Sequence, residues 1–159
     1  MTLVVLLAIV VADPLSGTWQ LNTARSHYGS GAEPRQSETF TCAFVSERLT
    51  CTINAIRGDG RATSGKFVAA YDGRAYPVTG IEGVDSVKLS RAGDSIADAT
   101  FSWKGSPVFG YRAVRSSDRK TLTIVSVDPV SRRMLTSVII YDALQSRAHA
   151  AAPKRSRPD

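Results

Sequence analysis

From Gly17 to Tyr141 the chain is a succession of short runs in which apolar and polar residues alternate, each closed by residues that reverse the backbone cheaply. Ala97, Ala99, Phe101 and Trp103 share one parity, while Asp98, Thr100, Ser102 and Lys104 share the other. Period two of this kind marks a strand with one buried face. Such runs fall at 17–21, 37–45, 48–56, 63–71, 75–79, 86–91, 95–104, 108–115, 121–127 and 133–141. Gly58-Asp59-Gly60, Asp72-Gly73, Ala92-Gly93-Asp94, Lys104-Gly105, Ser117-Asp118 and Asp128-Pro129 separate several of them with turn chemistry. Connections this short join antiparallel neighbours, because a parallel crossover needs about a dozen residues. No stretch carries a sustained helical stripe; 22–31 has room for a turn or two, limited by Gly29-Ser30-Gly31. An open sheet of about ten strands would leave two edges unpaired. The expected fold is therefore all-β: a closed antiparallel up-and-down β-barrel of about 8–10 strands.

A chain of 159 residues is one domain's worth, and 43% hydrophobic with 21% charged residues is ordinary for a packed core. The net charge of +6 raises nucleic acid as a partner, so its distribution matters. Half of the excess lies after the last strand, in Arg147, Lys154, Arg155 and Arg157 against Asp159. The remainder is scattered without a basic run interleaved with aromatics, so no nucleic-acid partner is expected. Residues 1–12 carry no charge, and Leu3 to Val11 is unbroken apolar sequence. That is too short to span a membrane, which needs about 20 residues. It fits the core of a secretory signal ending at Ala12, although a basic start is missing; a first strand or an apolar tail is the alternative. The division read from this is a signal-like segment 1–12, a barrel 13–142 and a disordered basic tail 143–159, in a periplasmic or secreted monomer.

The two cysteines bear on the same point. If Phe44 faces Leu49 in a hairpin, Cys42 falls opposite Cys51, where Cβ atoms stand about 4.5–5.5 Å apart. In an exported protein that register favours a disulfide; two buried thiols packing as small hydrophobes is the other reading. There is no Cys-X-X-Cys, so neither a redox motif nor a zinc site is indicated.

Three segments carry a family resemblance. Asp13-Pro14-Leu15-Ser16-Gly17-Thr18-Trp19-Gln20-Leu21-Asn22 resembles the start of secreted bacterial lipocalin-like (calycin) proteins of unassigned activity. Tyr71-Asp72-Gly73-Arg74-Ala75-Tyr76-Pro77-Val78-Thr79-Gly80 is similar to their central hairpin. Ser117-Asp118-Arg119-Lys120-Thr121-Leu122-Thr123 is similar to their Ser-X-Asp-Gly-Lys-Thr-Leu-Thr turn, with Arg119 in place of Gly. The resemblance covers Asp13 to Tyr141. Ten short strands are also similar to the fatty-acid-binding branch, whose members enclose a lipid, and streptavidin-like barrels share the Gly-Thr-Trp opening.

The fatty-acid-binding branch implies a site. It has a Trp-X-Gly turn followed by an inward Arg that meets a carboxylate; here Trp103-Lys104-Gly105 is followed by Arg112. A two-residue turn pairs Arg112 with Ala97, on the face of Phe101. A three-residue turn instead sends Phe109, Tyr111 and Ala113 inward and Arg112 to water. The branch also carries an Arg-X-Tyr on its last strand, and Val138-Ile139-Ile140-Tyr141 lacks that Arg. Candidate ligand contacts are Arg112, Trp103, Phe101, Tyr111, Tyr71 and Tyr141: apolar walls with a few polar groups, as pockets require. Trp19 reads as a plug at one barrel end, and Phe40, Phe44 and Phe67 as core.

Nothing points to catalysis. His27 and His149 stand apart from each other, with His27 beside Tyr28 in a surface loop. There is no nucleophile elbow, phosphate-cradling loop, dinucleotide fingerprint or metal-ligand cluster, so no cofactor is expected. Two functions remain: an exported barrel holding a small hydrophobic or amphiphilic ligand, or a protein-binding barrel with a filled core. A filled barrel with a purely structural envelope role is a third. How fully Phe40, Phe44, Phe67, Phe101, Trp103 and Ile139 occupy the interior separates the first from the others.

Overall fold

The structure is a computed structural model and describes residues 13–30 and 32–144; the apolar segment and the tail beyond 144 lie outside the described residues. Ten strands follow one another: β1 (Gly17–Leu21), β2 (Arg35–Val45), β3 (Arg48–Arg57), β4 (Ala62–Ala69), β5 (Tyr76–Thr79), β6 (Ser86–Gly93), β7 (Ile96–Trp103), β8 (Ser106–Arg115), β9 (Thr121–Val127) and β10 (Met134–Ala143). Each pairs antiparallel with its neighbour in sequence, and β10 closes on β1 through Trp19↔Ala143 and Leu21↔Tyr141. The sheet is a closed up-and-down barrel, and no strand edge of it is left to template aggregation. Among the described residues no helix is long and apolar enough to cross a membrane.

The chain enters at one end, called lower here, which also holds the β2–β3, β6–β7 and β8–β9 turns. The upper end holds the 22–34 segment and the β3–β4, β5–β6, β7–β8 and β9–β10 connections. In the β2–β3 hairpin Ser46 and Glu47 take φ of 49° and 63°, the left-handed pair of a two-residue turn whose twist suits the strands. Phe44 then faces Leu49, and Cys42 faces Cys51. The two cysteines form a disulfide at a Cα–Cα distance of 4.2 Å, the close spacing of a non-hydrogen-bonded pair.

Inward parity fills the barrel. Leu49, Val87 and Leu122 are 0% exposed, and each such side chain contributes about 1.5–3 kcal/mol on leaving water. Trp19 is buried under the lower end, where its indole N–H donates to the Leu15 carbonyl at 2.9 Å. Asp13 accepts from the backbone N–H of Leu15 (2.9 Å) and Ser16 (3.0 Å), folding the entering chain into a plug over that indole. Gly17 beside that ring takes a φ of +135°, a conformation that residues with a side chain rarely adopt. The thinnest seam is β5. It shares two register pairs with β4 and two with β6, and Pro77 gives it no ladder donor.

Candidate functional site

Arg112 does not enter the barrel. The Lys104-Gly105 turn has two residues, with φ of 49° and 81°, and pairs Trp103 with Ser106. Between Phe101 and Ser102, however, the register slips: Ser102 faces Pro107 and Phe101 faces Phe109, leaving Val108 as an extra residue. One inserted residue turns the rest of β8 over. Arg112 therefore pairs with Asp98 rather than Ala97, and its guanidinium forks onto the Asp98 carboxylate at 2.8 and 2.9 Å on the outer wall. Phe109, Tyr111 and Ala113 take the inner positions instead.

The interior holds a different polar cluster. Arg35, at the upper end of β2, reaches the Glu38 carboxylate at 2.9 Å. Tyr141 on β10 donates its hydroxyl to the other Glu38 oxygen at 2.6 Å and lies 3.4 Å from Arg35 Nη1. Tyr111 on β8 lies close enough to the same guanidinium to feel its charge. Tyr28 packs on the core from the segment between β1 and β2, which is held to β10 by the His27↔Val138 bridge. Its hydroxyl is buried and has no hydrogen-bond partner. Such an orphan costs about 1–3 kcal/mol, an expense a ligand's polar end would remove.

Local sequence explains these placements. Glu38 shares the parity of Phe40, Cys42 and Phe44, so the strand that buries those apolar residues buries the carboxylate too. Arg35 has the opposite parity, but a register shift between Arg35 and Ser37 brings it back beside Glu38. Glu38 is 6% exposed and Tyr141 1%, so both need the partners they have. Burial opposes the Arg35 charge, but Glu38 and the two tyrosines outweigh it and raise its pKa. Burial raises the Tyr111 pKa, and burial with the Glu38 charge raises that of Tyr141. Both phenols are thus neutral hydrogen-bonding groups across the physiological range. Arg35 and Glu38 cancel, leaving the cluster polar but without net charge.

Of the residues expected from sequence, Tyr111 and Tyr141 meet at Arg35. Phe101 sits nearer the upper rim than Tyr111, its ring centroid 4.8 Å from Phe109 and 6.2 Å from Tyr111. Tyr71 belongs to the lower end, where Arg91 lies 4.7 Å over its ring. Trp103 is 45% exposed at the upper rim, with the Lys104 ammonium over its indole. Sequence reading missed Arg35, Glu38 and Tyr28. Glu38 had a signal, a charge in phase with three apolar residues; Arg35 and Tyr28 owe their positions to a bulge and an irregular segment. His27 is exposed.

Among the described residues no group of three His, Cys, Asp or Glu could hold a metal ion. Comparison of the chain with protein-family models, curated proteins and solved structures finds no match.

Proposed function

We propose that this is an exported lipocalin-like barrel that takes a small amphiphilic molecule into its upper interior, with an uncharged polar end against Tyr28, Tyr111 and Arg35. The buried, unpartnered Tyr28 hydroxyl beside a charge-balanced cluster in an otherwise apolar interior carries this reading. The head group follows from the charges. Glu38 already occupies Arg35, so a carboxylate entering there would face a second carboxylate, whereas an alcohol, ester or amide can both donate and accept. Phe101 and Phe109 supply an apolar wall on the rim side of Tyr111, and Ile124 one on the other side. Export is supported by the Cys42–Cys51 disulfide, since such bonds persist in oxidising compartments.

Nile red displacement tests the reading. The dye should brighten saturably in the protein, 1-decanol should displace it, and decanoate should do so poorly. Tyr28→Phe should weaken decanol about fivefold, a typical hydrogen bond's worth, while leaving the neutral dye unaffected. Equal decanol affinity in the variant would remove Tyr28 from the site.

The second reading, a protein-binding barrel, has its own observation. Rings from Phe67, Phe101, Phe109 and Tyr111 touch in series across the interior. Trp103, Val108, Val130, Met134 and Leu135 stand exposed at the upper end. Absence of saturable dye binding would favour that reading.

A further inference from the structure

We propose that one side of the upper rim docks on a lipid surface bearing anionic head groups, through the tips of the β7–β8 and β9–β10 hairpins. Eight large apolar side chains stand exposed among the described residues, and five of them, Trp103, Val108, Val130, Met134 and Leu135, lie on these two hairpins. Val130 is 79% exposed and Met134 61%. Apolar side chains gathered in this way on an otherwise polar surface mark a docking face.

The geometry selects the partner. Ser106 to Phe109 of β8 extend past its last pair with β9, Gly110↔Val127, so the β7–β8 hairpin overhangs its neighbour. Arg132 ties the β9–β10 loop to the same hairpin, reaching Thr100 Oγ1 at 3.0 Å and Asp98 at 3.3 Å on β7. A stable protein interface takes about 800 Å² from each partner, which two narrow tips supply poorly. A head-group layer accepts projecting apolar side chains at depth. Trp suits that layer with an apolar ring and a polar N–H, and Lys with a long stem and a charged end. Here the Lys104 ammonium lies over the Trp103 indole. The charges turn the same way. Lys104 and Arg133 are exposed at the tips, whereas the nearby carboxylates are drawn back against the protein. Asp128 accepts from the N–H of Val130 at 3.1 Å and of Ser131 at 2.6 Å, and Asp85 from the Lys104 N–H at 2.7 Å. Asp98 binds Arg112 and Arg132. Elsewhere on the upper end charges are matched, Arg57 with Glu33 and Glu82, and Arg61 with Asp59. The two tips thus present apolar groups with cations beside them, and cations near an anionic surface add to binding. This face is on the outer rim and stands whether or not the interior binds anything.

Trp103 is the reporter. Vesicles of mixed phosphatidylcholine and phosphatidylglycerol, brominated on the acyl chains, should quench its fluorescence saturably. In Trp103→Phe the remaining tryptophan, Trp19, is buried at the far end and should not be quenched. Val130→Ser with Met134→Ser, both exposed positions, should weaken binding about tenfold through lost apolar burial. Lys104→Gln with Arg133→Gln should weaken it about tenfold on these vesicles and leave binding to pure phosphatidylcholine unchanged. Three results overturn the proposal. One is an unquenched Trp103, even where vesicles capture the protein, since capture then belongs to the apolar residues 1–12 or the basic tail. Another is equal binding by the double-serine variant and its parent. The third is self-association in sedimentation velocity that the same serine substitutions abolish, which would make the patch a contact between copies of the chain.

Discussion

Asp98 shows how one residue's surroundings decide its behaviour. Its side chain is 10% exposed, gripped by Arg112 at 2.8 Å and Arg132 at 3.3 Å. Hydrogen bonds from Arg112, opposed by burial and reinforced by the charges of both arginines, hold its pKa below the ordinary carboxylate value. A lowered folded-state pKa stabilises above the unfolded value, about 3.9, and that stability is lost as pH falls through the folded value. Because Arg112 is 40% exposed, solvent screens the pair to about 1 kcal/mol. Asp98→Asn should therefore lose about that much at pH 7 in urea unfolding, and should lose less than the parent between pH 4 and pH 2. Parallel acid profiles would contradict the assignment. At this scale the sequence was half legible. The polarity of Arg112 was plain, but which wall it faced depended on Val108, a residue with no mark of its own. Pro107 next to it was the available signal, since proline inside a sheet favours bulges.

At the scale of elements the alternation placed all ten strands, because each has one face in the barrel and one in water. Boundaries moved by a few residues where turns tightened, as where Gly93 continues β6 and Ala143 extends β10 against Trp19. The 22–34 segment was illegible as structure: His27 bridges Val138 through backbone alone, and Gly29 donates to Ser137 Oγ at 2.9 Å. Neither bond leaves a trace in periodicity, and with them the position of Tyr28 was hidden. The β2–β3 hairpin was legible because Cys42 and Cys51 are in register around a two-residue turn. Their disulfide joins positions 9 apart, and closing so short a loop stabilises by about 2–3 kcal/mol. Cys42→Ala with Cys51→Ala should lower the urea-unfolding free energy by that amount and leave the far-ultraviolet spectrum barrel-like. A loss below about 0.5 kcal/mol would show that the hairpin holds its register without the bond.

For the whole molecule, closure means that interior side chains come from every side, and polar groups distant in sequence meet there. Arg35 and Glu38 lie over a hundred positions before Tyr141, and only the β1–β10 closure brings them together. No local pattern reports such a meeting, so the fold could be read from the chain while the site could not. The account rests on the upper interior accepting a neutral amphiphile. Intermolecular nuclear Overhauser effects from 1-decanol to the protein test this most directly. Cross-peaks from the decanol carbinol protons to the rings of Tyr28 and Tyr111, and from its chain to Phe109, are the predicted result. Contacts confined to Trp103 and Met134 at the outer rim, or none at all, would contradict it.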